Sequence, residues 1–246
     1  MMQLFFISKR AFRSFKHKIH RLFLYLDNDY QSFKKNNTMK ILKAAEAFDK
    51  SAKIYQDKFM DVSLFAETFN LFCNHIEADN ADILDIACGP GNITKYILDR
   101  KPDYKVLGID LSPKMLDLAQ ANNPTALFQL MDCRDIRIER RFEGIICGFC
   151  LPYLVREEAV DLIVQVSQLL KPGGVFYLST MEDDYSKSRF QTSSTGDQVY
   201  VNYHQEDYLT EAFQANNFEI IHIERFTSYD KDNVVITDLV LTGKLI

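Results

Sequence analysis

Two features near the middle of the chain have the residue types and spacing to hold a nucleoside. Gly89-Pro90-Gly91 follows a short apolar run around Asp85, and Asn92 then opens a helical pattern through Ile93, Tyr96 and Ile97. Strand, glycine turn and helix make the first crossover of a nucleotide-binding α/β sheet. Without a Cβ, Gly89 and Gly91 can take positive φ and let a ligand lie against the main chain. The unpaired N–H groups that begin the helix then face that ligand. Lys105 to Asp110 reads as the next strand, placing Asp110 nineteen residues beyond Gly91. A carboxylate there can accept hydrogen bonds from both hydroxyls of a ribose.

The turn also limits what the ligand is. A dinucleotide fingerprint carries a third glycine that packs helix on strand and admits a pyrophosphate; here that position is Thr94. The Lys-Ser/Thr pair of a P-loop is missing as well. An adenosine-bearing ligand without phosphates fits what remains. Asp85-Ile86-Ala87-Cys88-Gly89-Pro90-Gly91, together with Asp110, Asp132 and the Lys171-Pro172-Gly173-Gly174 turn, resembles the class I S-adenosylmethionine-dependent methyltransferases. The resemblance runs from about Phe48 to Ile246. It implies S-adenosyl-L-methionine as cofactor, with contacts at Asp85, Gly89, Gly91, Asp110, Leu111, Asp132, Cys133, Cys147 and Tyr55. In that family the acid at the place of Asp132 reaches the exocyclic amine of adenine, and N-terminal helices carrying Phe48 and Tyr55 cover the cofactor.

Groups that could act as acid or base are few. His204, beside Tyr203, and Tyr153, after the fourth predicted strand, are the candidates. No N-P-P-Y or D-P-P-Y run follows that strand, which weighs against methylation of exocyclic amines in nucleic-acid bases. Cys147-Gly148-Phe149-Cys150 has redox spacing, but it sits at the exit of a strand rather than at a helix N-terminus, where a thiol would be activated. No histidines or second cysteine pair stand at metal-ligand spacing, so no metal site is expected. Cys88, Cys133, Cys147 and Cys150 all fall at carboxyl ends of predicted parallel strands, the edge where ligands bind. They read as small residues packing a cofactor pocket; the sharper reading is thiolate binding of a soft substrate such as arsenite.

Around these groups the pattern predicts alternating helices and strands. Helices are predicted over Ile41 to Tyr55, Val62 to His75, from Ser112-Pro113 onward, Glu157 to Leu170 and Glu206 to Ala215. Strands are predicted near Asp85 and over 105–110, 126–131, 142–149, 175–181, 218–226 and 234–242. Lys171-Pro172-Gly173-Gly174 is expected to cap the helix before it by glycine. Glu182 to Gln198 has no periodicity and reads as a long loop. The expected fold is α/β: a Rossmann-like, seven-stranded, mostly parallel sheet with helices on both faces. The family resemblance adds an antiparallel last strand inserted beside the sixth. Residues 39–80 supply lid helices and 81–246 the core.

At 246 residues with 47% hydrophobic content, the chain suits one α/β domain with a full core. Residues 1–38 carry eight Lys or Arg against Asp27 and Asp29, a net of +6. The whole chain is at −5, so the remainder carries −11. An acidic domain is a poor partner for phosphate backbones, so a nucleic-acid substrate is not expected. Residues 1–38 read as a dispensable extension, with a membrane-surface segment and an organellar presequence as alternatives. Five cysteines and no transmembrane run point to reduced thiols and a cytoplasmic address. The function expected is transfer of a methyl group from S-adenosylmethionine to a small-molecule acceptor. An NAD(P)-dependent oxidoreductase and a catalytically silent regulatory domain are the alternatives.

Overall fold

The computed structural model describes residues 36–192, 196–229 and 233–246. Most of the basic extension read over 1–38, and residues 230–232 between the last two predicted strands, lie outside the described residues. The chain divides into two compact units, Met1–Lys40 and Ile41–Ile246. Of the first, residues 36–40 are described and are helical; in the second, helix α1 covers residues 41–59.

The sheet of the second unit has seven strands: β1 (Asp82–Ile86), β2 (Lys105–Asp110), β3 (Leu127–Leu130), β4 (Phe142–Gly148), β5 (Leu170–Glu182), β8 (Phe218–Tyr229) and β9 (Val235–Leu245). Their spatial order is β3-β2-β1-β4-β5-β9-β8. β1 pairs parallel with both β2 and β4, and β9 runs antiparallel between β5 and β8. Strands at the centre of a parallel sheet are covered on both faces and so need nearly continuous apolar runs. Ile83, Leu84, Ile86, Ile109, Ile145 and Ile146 meet that need, and all are fully buried. β3 lies at the edge, where Leu127 and Leu130 stay exposed.

Two cores sit on the two faces. Leu84 and Ile86 pack with Leu162, Ile163 and Val166 of α5 (Arg156–Leu169) and with Phe213 of α6 (Glu206–Ala215). Ile83 packs with Phe69 and Phe72 of α2 (Ala66–Asn74) and Ile97 of α3 (Asn92–Arg100). The alternation of neighbouring β1 side chains between these cores is the period-two pattern of a strand. Helix α4 (Pro113–Asn122) begins as its sequence implies: the Ser112 hydroxyl accepts from the Met115 N–H at 3.1 Å, with Pro113 in the first turn.

Two local expectations are overturned. Helix α5 ends because Leu170 turns extended (φ −81°, ψ 148°), not at a glycine cap. The Lys171-Pro172-Gly173-Gly174 segment belongs to β5, where Gly173 (φ +77°) accommodates an irregularity in the β4–β5 register. The stretch read as a long loop contains β6 (Arg189–Thr192), which pairs antiparallel with β7 (Gln198–Val201) as a separate two-stranded sheet.

Candidate functional site

The turn after β1 makes one wall of a cavity at the carboxyl edge of the sheet. Its main chain is held in the left-handed region at Ala87 (φ 54°), Gly89 (φ 53°) and Gly91 (φ 75°). The Cys88 N–H donates to the Ile109 carbonyl at 3.0 Å, tying the turn to β2. The Gly89 N–H donates to Asp110 Oδ2 at 2.9 Å, and the Ser112 N–H donates to Asp110 Oδ1 at 2.8 Å. A carboxylate offers about four acceptor sites, so capacity remains for a ligand beside these N–H groups and that of Leu111. Burial raises the Asp110 pKa, against the lowering effect of those backbone N–H groups. A Cβ built on Gly89 would meet nothing closer than Tyr55 Cε1, at 3.9 Å. The turn is thus open on the side that Tyr55 faces.

Behind the turn, Asp85 is buried with Thr94 as partner: the Thr94 hydroxyl donates to Asp85 Oδ2 at 2.6 Å. Asp85 Oδ1 is buried without a hydrogen-bond partner. Burial pushes the Asp85 pKa up to about 7, countered by the Thr94 hydrogen bond and reinforced by the charge of Asp110. Thr94 occupies the place of the third fingerprint glycine and there fastens α3 to β1.

Aromatic rings form the opposite wall. Phe48 and Tyr55 come from α1, and Tyr153 ends a 3-10 turn, Leu151–Tyr153, that follows β4. Phe48 meets Tyr55 edge-on at 5.6 Å between centroids and Tyr153 at 5.1 Å. Ala44, Ala47 and Val199 of β7 back Phe48 and Tyr153, so the hairpin missed in the sequence buttresses this wall. Burial, then the nearby Asp110 charge, pushes the Tyr55 pKa up to about 12. Burial likewise raises that of Tyr153. Cys133 and Cys150 complete the lining, their sulfurs 3.5 Å apart. All five cysteines are free.

Of the residues singled out in the sequence, Tyr55, Gly89, Asp110, Leu111, Cys133 and Tyr153 line this cavity. Asp85, Gly91, Asp132, Cys147 and His204 are not in its lining. Gly91 serves packing instead: a Cβ there would come 2.4 Å from Asn123 Nδ2 and 3.2 Å from Ala119. Asp132 is held by Arg134, whose guanidinium donates to both of its oxygens. Cys147 is fully buried within β4. His204 is also fully buried, its Nε2 2.7 Å from the Leu151 carbonyl and its Nδ1 bonded to the Tyr208 hydroxyl. Burial drives the His204 pKa down to about 4, so it is a neutral tie between segments rather than a base.

Sequence reasoning did not place Met115, Met131 and Phe149 in the lining. Phe149 had one signal available: it follows Gly148 at the end of β4, where the chain needs a positive φ (56°) to turn. Met115 and Met131 had none, since a methionine in a helix or after a strand reads as core. Among the described residues, no cluster of three metal-binding side chains occurs, and no helix is long and apolar enough to cross a membrane.

Residues 83–174 match a family described as a methyltransferase domain. A protein named putative methyltransferase 235L from Invertebrate iridescent virus 6 is 33% identical over 101 residues, 41% of this chain and 37% of that protein. A trans-aconitate 2-methyltransferase from Methylobacterium radiotolerans is 39% identical over 92 residues, 37% of this chain and 35% of that protein. The matches thus span little more than a third of these relatives' length. Among solved structures, a 1,6-didemethyltoxoflavin-N1-methyltransferase of Burkholderia thailandensis, crystallised with that substrate and S-adenosylhomocysteine, superposes with a TM-score of 0.63. It covers 83% of this chain and 88% of its own, at 23% identity, so the likeness is one of fold.

Proposed function

We propose that this chain is a class I S-adenosylmethionine-dependent methyltransferase that binds S-adenosyl-L-methionine in the cavity described and methylates a small-molecule acceptor. The observation that carries the reading is Asp110. Its two oxygens are fixed by the Gly89 and Ser112 N–H groups and retain acceptor capacity, beside a glycine with free space before it. That arrangement suits the two hydroxyls of a ribose, with the amino-acid tail of the cofactor laid along the turn. The cofactor, when bound, supplies a methyl group on a sulfonium, already activated for displacement.

The chain's own contribution is then positioning and exclusion of water. Asp110 fixes the sugar, the Gly89 main chain the tail, and α1 covers the cavity with Phe48 and Tyr55. Tyr55 and Tyr153 stay protonated at neutral pH because burial raises both. They can donate hydrogen bonds but do not serve as bases. Asp110 is the sole carboxylate among the described lining residues, which include no Lys, Arg or His. The acceptor therefore brings its own lone pair, and an uncharged acceptor fits this lining better than a polycarboxylate such as trans-aconitate. A reducing, cytoplasmic setting belongs to the same reading, supported by five free, buried cysteines.

The test is to incubate the protein with methyl-labelled cofactor and fractionated metabolites. Label should appear in a small, neutral product with stoichiometric S-adenosylhomocysteine. Label confined to polycarboxylates would overturn the acceptor assignment, and absence of any cofactor binding would overturn the activity.

A further inference from the structure

Resting on that reading for its ligand, we propose that Cys133 and Cys150 form a reversible disulfide across the cavity lining, which lowers cofactor affinity and which bound cofactor in turn resists. Sequence spacing points to a different pair, Cys147 and Cys150, but the fold places the contact elsewhere. Cys147 is fully buried within β4. Cys133, just past β3, instead has its sulfur 3.5 Å from that of Cys150, and both residues line the cavity. All three are free thiols.

Both segments are held in this arrangement. Beside Cys133, Asp132 accepts from the Arg134 guanidinium, which also reaches Glu158 of α5 at 3.3 Å. Beside Cys150, Phe149 takes a positive φ of 56° and donates its N–H to the Ser179 carbonyl at 3.1 Å. The two sulfurs therefore meet without a search through loop conformations, and closing the bond is an intramolecular step.

A peroxide converts one thiol to a sulfenic acid and releases water. The neighbouring thiol then displaces the hydroxyl as a second water, giving the disulfide; two electrons pass from the sulfur pair to the peroxide. A small dithiol reverses the step and ends as its own disulfide. Hydrogen bonding from Cys133 lowers the Cys150 pKa, but Cys147 and burial outweigh it and hold that thiol above its usual value. The bond thus forms slowly, and the dithiol is the form that persists in a reducing setting. Bonding draws the sulfurs closer than their present contact, and the lining moves with them: Met131 lies on one segment, Tyr153 and Leu154 on the other. A ligand seated between those segments opposes the movement, and by linkage the disulfide opposes the ligand by the same factor.

The experiment uses the full chain. The protein is treated with hydrogen peroxide, alkylated and peptide-mapped. The S-adenosylhomocysteine dissociation constant is measured calorimetrically before treatment, after it, and after dithiothreitol. One disulfide, Cys133 to Cys150, should appear, with affinity lowered by about tenfold or more and restored by the reductant. In dithiothreitol buffers of graded oxidised fraction, S-adenosylhomocysteine saturating both forms should move the midpoint to a more positive potential by about 30 mV or more, the two-electron equivalent of tenfold. Cys147→Ser should still form the bond, and Cys133→Ser should show no peroxide-dependent loss of affinity. A bond between Cys147 and Cys150, no bond at all, or a Cys133–Cys150 bond that leaves affinity and midpoint unchanged would overturn the inference and leave the cofactor reading intact. A reduced wild-type chain that binds no S-adenosylhomocysteine would instead remove the cofactor reading, and the coupling with it.

Discussion

Thr94 donates a 2.6 Å hydrogen bond to one oxygen of buried Asp85, while the other oxygen, also buried, has no partner. A carboxylate so placed prefers its proton, and its pKa stands near 7 in the folded protein against about 3.9 in an unfolded chain. Between those values the folded state binds a proton that the unfolded state has released. Stability therefore falls as pH rises from about 4 to about 7, by about 1.4 kcal/mol for each pH unit at most, and then levels. Asp85→Asn should flatten that window. Asp238, raised to about 6 by burial, contributes a smaller slope of the same sign. Denaturant melts of both proteins at pH 4.5, 6 and 7.5 test this; an unchanged slope in the Asn variant would place the proton elsewhere.

The two glycines of the turn should separate cleanly. Gly91→Ala forces a Cβ against Asn123 and Ala119 at positive φ, and should cost about 2–4 kcal/mol of stability. Gly89→Ala bears backbone strain of about 1–2 kcal/mol but meets open space, and should instead lose S-adenosylhomocysteine affinity by tenfold or more. Paired melting curves and calorimetry decide the assignment. Reversal of the two phenotypes would mean that Gly91, not Gly89, borders the ligand.

The thiols of Cys133 and Cys150 should react slowly. Their mutual contact and burial raise the Cys133 pKa well above that of a free thiol, and the thiolate is the reactive form. A disulfide reagent at pH 7.5 should modify both at less than about a tenth of the rate seen in denaturant, and S-adenosylhomocysteine should slow them further because both line the cavity. Fast modification unaffected by ligand would remove them from the lining.

How much of this was legible in the sequence depends on which interactions are local. β1, β2 and β4 were readable because parallel central strands must be apolar throughout, and Asp110 because its place follows from the crossover. The β6–β7 hairpin was not, since Arg189-Phe190-Gln191-Thr192 is largely exposed and its stability depends on pairing with Val199 and Val201. Gly91 looked like a ligand-facing residue because Asn123, which fills the space before it, lies 32 positions away. Asp132 shows the same limit at short range: its type suits adenine, but two residues on stands Arg134, which engages both of its oxygens. The burial of His204 rests on Leu151 and Tyr208, and no pattern in its own segment announces either.

The proposed function needs the cavity to take an adenosine with a sulfonium tail and no phosphates, with Asp110 as its anchor. Two charge-assisted hydrogen bonds at about 1.5–3 kcal/mol each imply that Asp110→Ala loses at least tenfold in affinity. The most direct measurement is a thermal-shift series on the wild-type chain with S-adenosylhomocysteine or NAD, repeated on Asp110→Ala. A ligand at about a hundred times its dissociation constant adds about 2.7 kcal/mol of stability. A clear upward shift is expected with S-adenosylhomocysteine, none with NAD, and loss of the shift in Asp110→Ala at the same concentration. A shift with NAD and none with S-adenosylhomocysteine would contradict it and put an oxidoreductase in its place.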